Sequence, residues 1–586
     1  MINNGLIRKI VFPAILVILF FIYQHYGKYH FFCVEQFQLF RFSWNYIFGQ
    51  LSSIGGLSIL IGNFLLQFFV VDYLGALISA ILTTAVAYTV YIVLFKSGVE
   101  ERISLLGIVV AVPFLILHLY DYYNIAGTVG FLISLFSVYL TLAHKGRFRK
   151  IWILGSTLIL FWISGPFAFQ YIVSILIISL IKKEGVKSII TNLMILGLLG
   201  GIATIFILKG YFGEIGFAFL PSYFFEPRLD APRILLLPYA IFLILLILLN
   251  IIGKQIGNAK NKIIYPFIGV IIVLSSIVIL YKEFHKRLED STLKELDYYA
   301  KHKQWNSIIS ICSGEVLNHC YMNYLNLALL NKGLLTEELF LYDQRGTLSL
   351  SVKYDMTPIV SSLLSDIAFE TKQPSLARTL AFEALVNASG SMSGRYIKRL
   401  IETNLVLGSE EVAHKYLDVL DETLFYRKWS AEYRQYANNN KMLLEHEELG
   451  PMIKSLGASN QLSGHDISIE VLIENVVANP DNKKGLEYIE AYLMLSKDLA
   501  AIRSFVENYY GTPVLKELPK SMQEAVIVYS ENEPDYWTKY GVSEQVINNF
   551  MNFKQLVVQN RGNRNLPAMV QRSFGGTFWY FYMYKS

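Results

Sequence analysis

The residues of this chain that could do chemistry sit in the polar connections between long apolar runs. Glu35 lies within Phe31-Phe32-Cys33-Val34-Glu35-Gln36-Phe37. A carboxylate among these aromatics is expected to be partly desolvated with its pKa raised, and to serve either as a functional group or as an ordinary interfacial anchor. The same connection carries His25, His30, Gln36, Gln38, Arg41, Trp44 and Asn45. Asp72 and Asp121 border the ends of later apolar runs, and the stretch after Lys209 adds Glu214, Glu226, Arg228, Asp230 and Arg233. Carboxylates beside a membrane can take a proton or hold a metal, and arginines there can clamp a lipid phosphate. The plainer use of such residues, foremost for Glu226-Pro227-Arg228 and Asp230, is to solvate a loop. His118, between Leu117 and Leu119, reads as a hydrogen-bonded span residue.

What must position these residues is a set of membrane spans. Of the 586 residues, 54% are hydrophobic and 17% charged, more apolar and less charged than soluble proteins are. A hydrocarbon core about 30 Å thick takes roughly 20 apolar residues in a helix. Spans are expected near 8–26, 75–95, 103–121, 125–143, 151–166, 168–182, 188–208, 233–252 and 263–281. The fifth and sixth meet at Gly165-Pro166, as a hairpin of two crossings or a re-entrant pair. With nine crossings, five basic clusters share one face: Arg8 and Lys9; Lys96 and Arg102; Lys145, Arg147, Arg149 and Lys150; Lys182, Lys183 and Lys187; Lys254, Lys260 and Lys262. The positive-inside rule makes that face cytoplasmic. Gly55–Val71 does not fit the alternation and is expected as an interfacial or re-entrant helix, rimmed by Asn63, Gln67 and Asp72. The competing reading is a tenth span with reversed orientation. The first span lacks a small-residue cleavage site and reads as an uncleaved anchor.

Beyond about residue 285 the pattern becomes helical periodicity with short polar breaks. Leu293, Leu296, Tyr299 and Ala300 precede Trp305, Ile308, Ile309 and Ile311, and a run from Tyr324 to Leu329 stops at Gly333. Helical hairpins are expected over Ser375–Ala384, Tyr396–Leu407 and Gly408–Tyr416, and again over Gly485–Tyr492 with a partner beginning near Asp498. Small residues at helix crossings, spaced by roughly 34, resemble tetratricopeptide repeats, which offer a concave surface to partners. The alternative is an irregular helical domain that contains helical pairs.

Phosphate-binding Gly-Lys-Ser/Thr loops, His-Glu-x-x-His pairs, dinucleotide fingerprints and Gly-x-Ser-x-Gly elbows are absent, which argues against an ATP-driven pump or a zinc protease. The net charge of +5 is explained by the basic residues flanking the spans, so no nucleic-acid partner is expected. Cys33, Cys312 and Cys320 have no metal spacing; Cys312 and Cys320 could close a small loop or face apart on neighbouring helices.

A first span, a long outer loop with an acidic residue, an interfacial helix and paired short spans together resemble the GT-C glycosyltransferases that use polyprenyl-phosphate sugars. The resemblance covers about residues 1–281. It implies a loop carboxylate that activates the acceptor or holds a divalent metal, and Glu35 matches by placement; no Asp-x-Asp or Glu-x-Asp sequence accompanies it in the outer loops. The whole chain also resembles an uncharacterised family of bacterial inner-membrane proteins that join many spans to a tetratricopeptide-like tail. That likeness rests on Glu35-Gln36-Phe37-Gln38-Leu39-Phe40, Gly55-Gly56-Leu57 with Phe64–Phe69, Tyr324–Leu329 with Gly333, and Leu339–Gln344.

The expected fold is all-α: a polytopic membrane domain over 1–284, with outer loop 28–74 and interfacial helix 55–71, then a soluble helical-repeat domain over 285–586. The expected place is the bacterial inner membrane, with the N-terminus cytoplasmic and the second domain periplasmic. As a transferase, the chain would use Glu35, Asp72 and Asp121 as catalytic groups and Gln36, Arg41, Glu226, Arg228 and Arg233 to bind substrate, with no metal ligands assigned. The polyprenyl-phosphate sugar or another membrane lipid would be one partner, and a protein or glycan on the repeats the other. The rival readings are a non-catalytic envelope scaffold whose repeats dock partners and, ranked last for want of mid-bilayer ionisable residues, a transporter.

Overall fold

The computed structural model describes residues 4–144, 146, 148–255, 291–315, 318–388, 390, 392–456 and 464–585. Among these residues every named element is helical, with only two isolated β-bridges. The chain forms two compact units, Met1–Thr292 with Glu422–Phe425, and Leu293–Asp421 with Tyr426–Ser586.

Among the described residues of the first unit five helices are long and apolar enough to cross a membrane: Lys9–Glu35, Leu74–Ser97, Ala126–Ala143, Val186–Leu208 and Arg233–Ile251. They fall on five of the nine expected spans. Arg149–Ser164 and Phe167–Ile181 have 16 and 15 residues. At 1.5 Å per residue each covers about 24 Å or less, short of the hydrocarbon thickness. The stretch expected as a span at 103–121 is broken into Glu101–Ser104, a seven-residue 3-10 segment Leu105–Ala111, and Val112–Leu117. The expected span at 263–281 lies outside the described residues, as do Lys145, Arg147, Lys260 and Lys262. The stretch expected as an interfacial helix is Gly56–Leu66 followed by a 3-10 turn, Gln67–Val70.

Glycine sets the junctions. Gly165, at φ +59°, separates Arg149–Ser164 from Phe167–Ile181, and Gly55, at φ +73°, opens Gly56–Leu66. The two meet where Gly55 N donates to the Trp162 carbonyl at 2.7 Å and the Tyr223 hydroxyl donates to the Ile54 carbonyl at 2.7 Å. A side chain at either glycine would strain the backbone. The core gathers around Phe131, whose ring lies 5.0–6.2 Å from those of Phe114, Phe167, Tyr239 and Phe242. Buried polar groups between the helices pair with one another: Asn250 with Ser97 at 2.9 Å, Tyr171 with Thr141 at 2.7 Å, and Asn192 with Ser179 at 3.1 Å. In an apolar surrounding an unpaired polar group would cost more than the bond returns in water.

The second unit is built of short helices. Pro358–Glu370 pairs with Pro374–Asn387, and Gly394–Val406 with Glu410–Asp421. Side-chain caps fix where they begin: Thr357 accepts from Val360 N, Ser393 from Tyr396 N, and Asp498 from Ala501 N. Each such cap is worth about 1 kcal/mol. The partner helix expected near Asp498 starts at Leu499, and Gly333 ends the helix His319–Lys332 in the left-handed conformation. None of the three cysteines forms a disulfide, so Cys312 and Cys320 do not close a loop; Cys312 is buried, with its thiol 3.7 Å from the Tyr321 carbonyl.

Candidate functional site

Three segments distant in sequence meet in the first unit. The first is the end of the helix Asn4–Glu35, where Gln36 N and Phe37 N bond back to the carbonyls of Cys33 and Val34 at 3.1 Å. The second is the loop that leads into Ala126–Ala143, where Asn124 Oδ1 accepts from Ala126 N at 2.9 Å. The third is the loop from Phe224 to Arg228. It pairs with the second through Asn124 N to the Phe224 carbonyl, 3.0 Å, and Glu226 N to the Tyr122 carbonyl, 3.2 Å, around an antiparallel bridge between Tyr123 and Phe225.

Tyr122 is the hub. Its ring stacks nearly parallel on Phe37 with centroids 5.9 Å apart. Burial first, then the charges of Asp121, Cys33 and Glu226, push its phenol up to about 12, with Arg228 opposing. At neutral pH it therefore stays a hydrogen-bond donor.

Glu226 is 6% exposed, and its Oε1 accepts from Arg228 Nε at 2.6 Å. Its other carboxylate oxygen is buried without a hydrogen-bond partner among the described residues. The Arg228 side chain is half-exposed, so the pair has one end in the protein and one outside. The carboxylate fixes the orientation of the guanidinium, part of which faces solvent. Glu35, at 3% exposure, closes the first helix two residues before Phe37. Gln36 is equally buried and spends its amide on the Phe32 carbonyl at 3.1 Å, which makes it a brace for the helix end.

Asp121 Oδ1 lies 3.0 Å from His30 Nδ1, and His30 Nε2 lies 3.0 Å from the carbonyl of His118. A carbonyl can only accept, so Nε2 carries hydrogen and the ring and Asp121 share the proton between them. His118 bonds Thr128 Oγ1 at 2.8 Å and stacks between Tyr23 and Tyr123; it is hydrogen-bonded as expected, but it caps the short helix Val112–Leu117 where a long span was expected.

The structure thus brings Asp121, Glu226 and Arg228 around Tyr122, with Glu35 and Gln36 on the adjoining helix end. The other candidates stand apart from these bonds. Asp72 is exposed in the turn before Leu74–Ser97, and Arg233 is exposed at the start of a 3-10 turn; among the described residues neither makes a hydrogen bond or ion pair. Arg41 lies with its guanidinium 5.2 Å from the Tyr46 ring. His30 and Tyr122 are the residues that sequence reasoning left without a role. His30 was visible as a histidine near an acidic candidate, but its partner is 91 positions away. Among the described residues no three His, Cys, Asp or Glu side chains come together as a metal site.

A family of unknown function, DUF6057, matches residues 5–585. The chain belongs to DUF6057. The match runs through both units of this DUF6057 protein, so the apolar bundle and the helical unit are parts of one family architecture. No curated protein and no solved structure matches the chain.

Proposed function

We propose that this DUF6057 protein is a bacterial inner-membrane transferase that moves a sugar from a polyprenyl phosphate to an acceptor, at the junction around Tyr122. The single observation that supports the reading is the convergence of buried Glu226, half-exposed Arg228 and the His30–Asp121 pair beside the helix end that carries buried Glu35. These groups lie at the ends of apolar helices, where a lipid phosphate would arrive.

In this reading Glu35 takes the proton of the acceptor hydroxyl as that oxygen attacks the anomeric carbon. The bond from that carbon to the phosphate oxygen breaks, and polyprenyl phosphate leaves with its charge facing Arg228. A donor fixed in a partly dry site stabilises a departing phosphate more than the same donor in water. The N-terminus is assigned to the cytoplasm and the helical unit to the periplasm, where it would present the acceptor.

The test uses the full chain in lipid nanodiscs with radiolabelled polyprenyl-phosphate hexoses, reading release of polyprenyl phosphate. Glu35→Gln is expected to lower turnover by about 10²-fold or more, the usual contribution of a general base, with membrane insertion unchanged. Arg228→Ala is expected to weaken donor binding. Wild-type turnover in Glu35→Gln would remove Glu35 from the reaction. Absence of any release by the wild type across these donors would leave the non-catalytic scaffold as the better account.

A further inference from the structure

In the first unit the short helix Trp44–Leu51 buries none of its residues. One side of it is tied down. The Tyr46 hydroxyl accepts from Asn63 Nδ2 at 3.1 Å, its ring packs 5.4 Å from that of Phe40, and the Arg41 guanidinium lies 5.2 Å from it. Trp44 and Phe48, one turn apart and so on one face, are 73% and 62% exposed and stack on each other with centroids 5.6 Å apart. Asn45 and Gly49, each the next residue along, are exposed too, and among the described residues no atom comes within 4 Å of a Cβ added at Gly49. The helix thus turns two open faces outward, one of large rings and one small and polar.

The neighbouring hairpin identifies what covers the rings. Arg149–Ser164 and Phe167–Ile181 pack side by side, and their open end carries Arg149, Lys150, Lys182, Lys183 and Lys187, with Arg149 Nη1 2.8 Å from Glu184. From that charged end an exposed apolar stripe of Ile151, Leu158, Ile159 and Trp162 runs along the first helix to the turn at Gly165. Beside five helices of membrane length, such a stripe meets hydrocarbon. Trp162 ends it with a half-exposed ring, while its indole N–H donates to the Leu51 carbonyl at 3.1 Å. An indole with its N–H bonded and its ring bare suits the boundary between acyl chains and headgroups. The same bond joins the stripe to the last residue of Trp44–Leu51, so the lipid-facing surface continues onto the short helix. That helix has no charged residue, so its affinity for lipid needs no anionic headgroup.

We propose that Trp44–Leu51 lies in the headgroup–acyl boundary of the bilayer, on the face opposite the basic end of the hairpin, with Trp44 and Phe48 among acyl chains and Asn45 and Gly49 towards water. The placement bears on the candidate site. Asn63, which holds Tyr46, accepts on Oδ1 from Asn124 Nδ2 at 3.5 Å, and Asn124 N bonds the Phe224 carbonyl inside the Tyr122 junction. The short helix therefore keeps that junction at headgroup level, whether or not the transferase reading holds.

Nitroxide labels on the full chain in phosphatidylcholine nanodiscs test it. Cys320→Ser removes the half-exposed native thiol and leaves the buried Cys33 and Cys312. Trp44→Cys, Phe48→Cys, Asn45→Cys and Gly49→Cys are then labelled one at a time. Labels at 44 and 48 are expected to be relaxed more by oxygen, which dissolves in acyl chains, than by a water-soluble nickel chelate, and labels at 45 and 49 the reverse. Phe48→Cys and Gly49→Cys carry the comparison if Trp44→Cys does not fold. Nickel ahead of oxygen at 44 and 48 would put the rings in water. Shielding from both reagents there would mean that a protein covers them, and oxygen ahead at all four positions would mean that the helix is immersed. Each of these three outcomes would overturn the proposal.

Discussion

At the scale of single residues, buried carboxylates in the helical unit give the protein a pH dependence with a definite sign. Glu490 is 3% exposed and accepts one hydrogen bond, from Thr336 Oγ1 at 3.1 Å. Burial, with Glu487 and Glu337 adding to it, pushes its carboxyl up to about 8, against the Thr336 bond. The folded state therefore binds more protons than the unfolded one between the ordinary glutamate value and about 8. Stability is full at the acid end of that window and is lost as pH rises through it. Thermal melts of the full chain in detergent should fall from pH 5 to pH 8.5 by more in wild type than in Glu490→Gln, the gap at the alkaline end being on the order of a few kcal/mol. An equal fall in both would show that Glu490 does not carry the effect. At this scale the candidate site was half legible. Glu226 and Arg228 are two positions apart and readable as a pair, and Glu35 stands out among aromatics. Their meeting with Tyr122 and His30 depends on loops nearly a hundred residues apart, which no local pattern encodes.

At the scale of elements, small residues decide how closely helices approach. A Cβ on Gly62 would stand 2.8 Å from the backbone of Ala126, so Gly56–Leu66 can lie against Ala126–Ala143 only because that position is bare. Gly62→Leu should destabilise the first unit by about 1–3 kcal/mol, read as a lower melting temperature. Gly197→Leu, with no atom within 4 Å of the added Cβ, should melt like wild type apart from the small propensity gain. Five long apolar helices were legible because membrane length and hydrophobicity are local properties. The break at Leu105–Ala111 was not, since a continuous apolar run has no period to distinguish a 3-10 segment from an α-helix. In the second unit the apolar face of Gly394–Val406 drew attention from Tyr396 onward. The charged face, Arg395, Lys398, Arg399 and Glu402 at helical spacing, was equally readable in the sequence but acquires meaning only from the Asp366 and Trp429 helices opposite.

At the scale of the whole molecule, the proposed orientation makes a simple demand: alkaline phosphatase fused after Ser586 should be active in cells and a cytosolic fluorescent reporter there dark. The opposite result would place the helical unit in the cytoplasm and remove the periplasmic acceptor from the proposal. The apolar helices also differ in how much of them the protein covers. Lys9–Glu35 and Val186–Leu208 have 17% and 22% of their most apolar stretch buried, against 50% or more in the other three. Apolar contact alone holds such a helix weakly in lipid, because hydrocarbon tails replace the lost contacts at little cost. The first helix is held instead by polar attachments: Tyr23 to Thr83 at 2.9 Å and to the Phe114 carbonyl at 3.2 Å, and His30 to Asp121 and the His118 carbonyl. Greasy surfaces can slip past each other by a turn; directional bonds cannot. These few rivets set the rise and rotation of the first helix against its neighbours, and so where its end holds Glu35 relative to Asp121 and Tyr122.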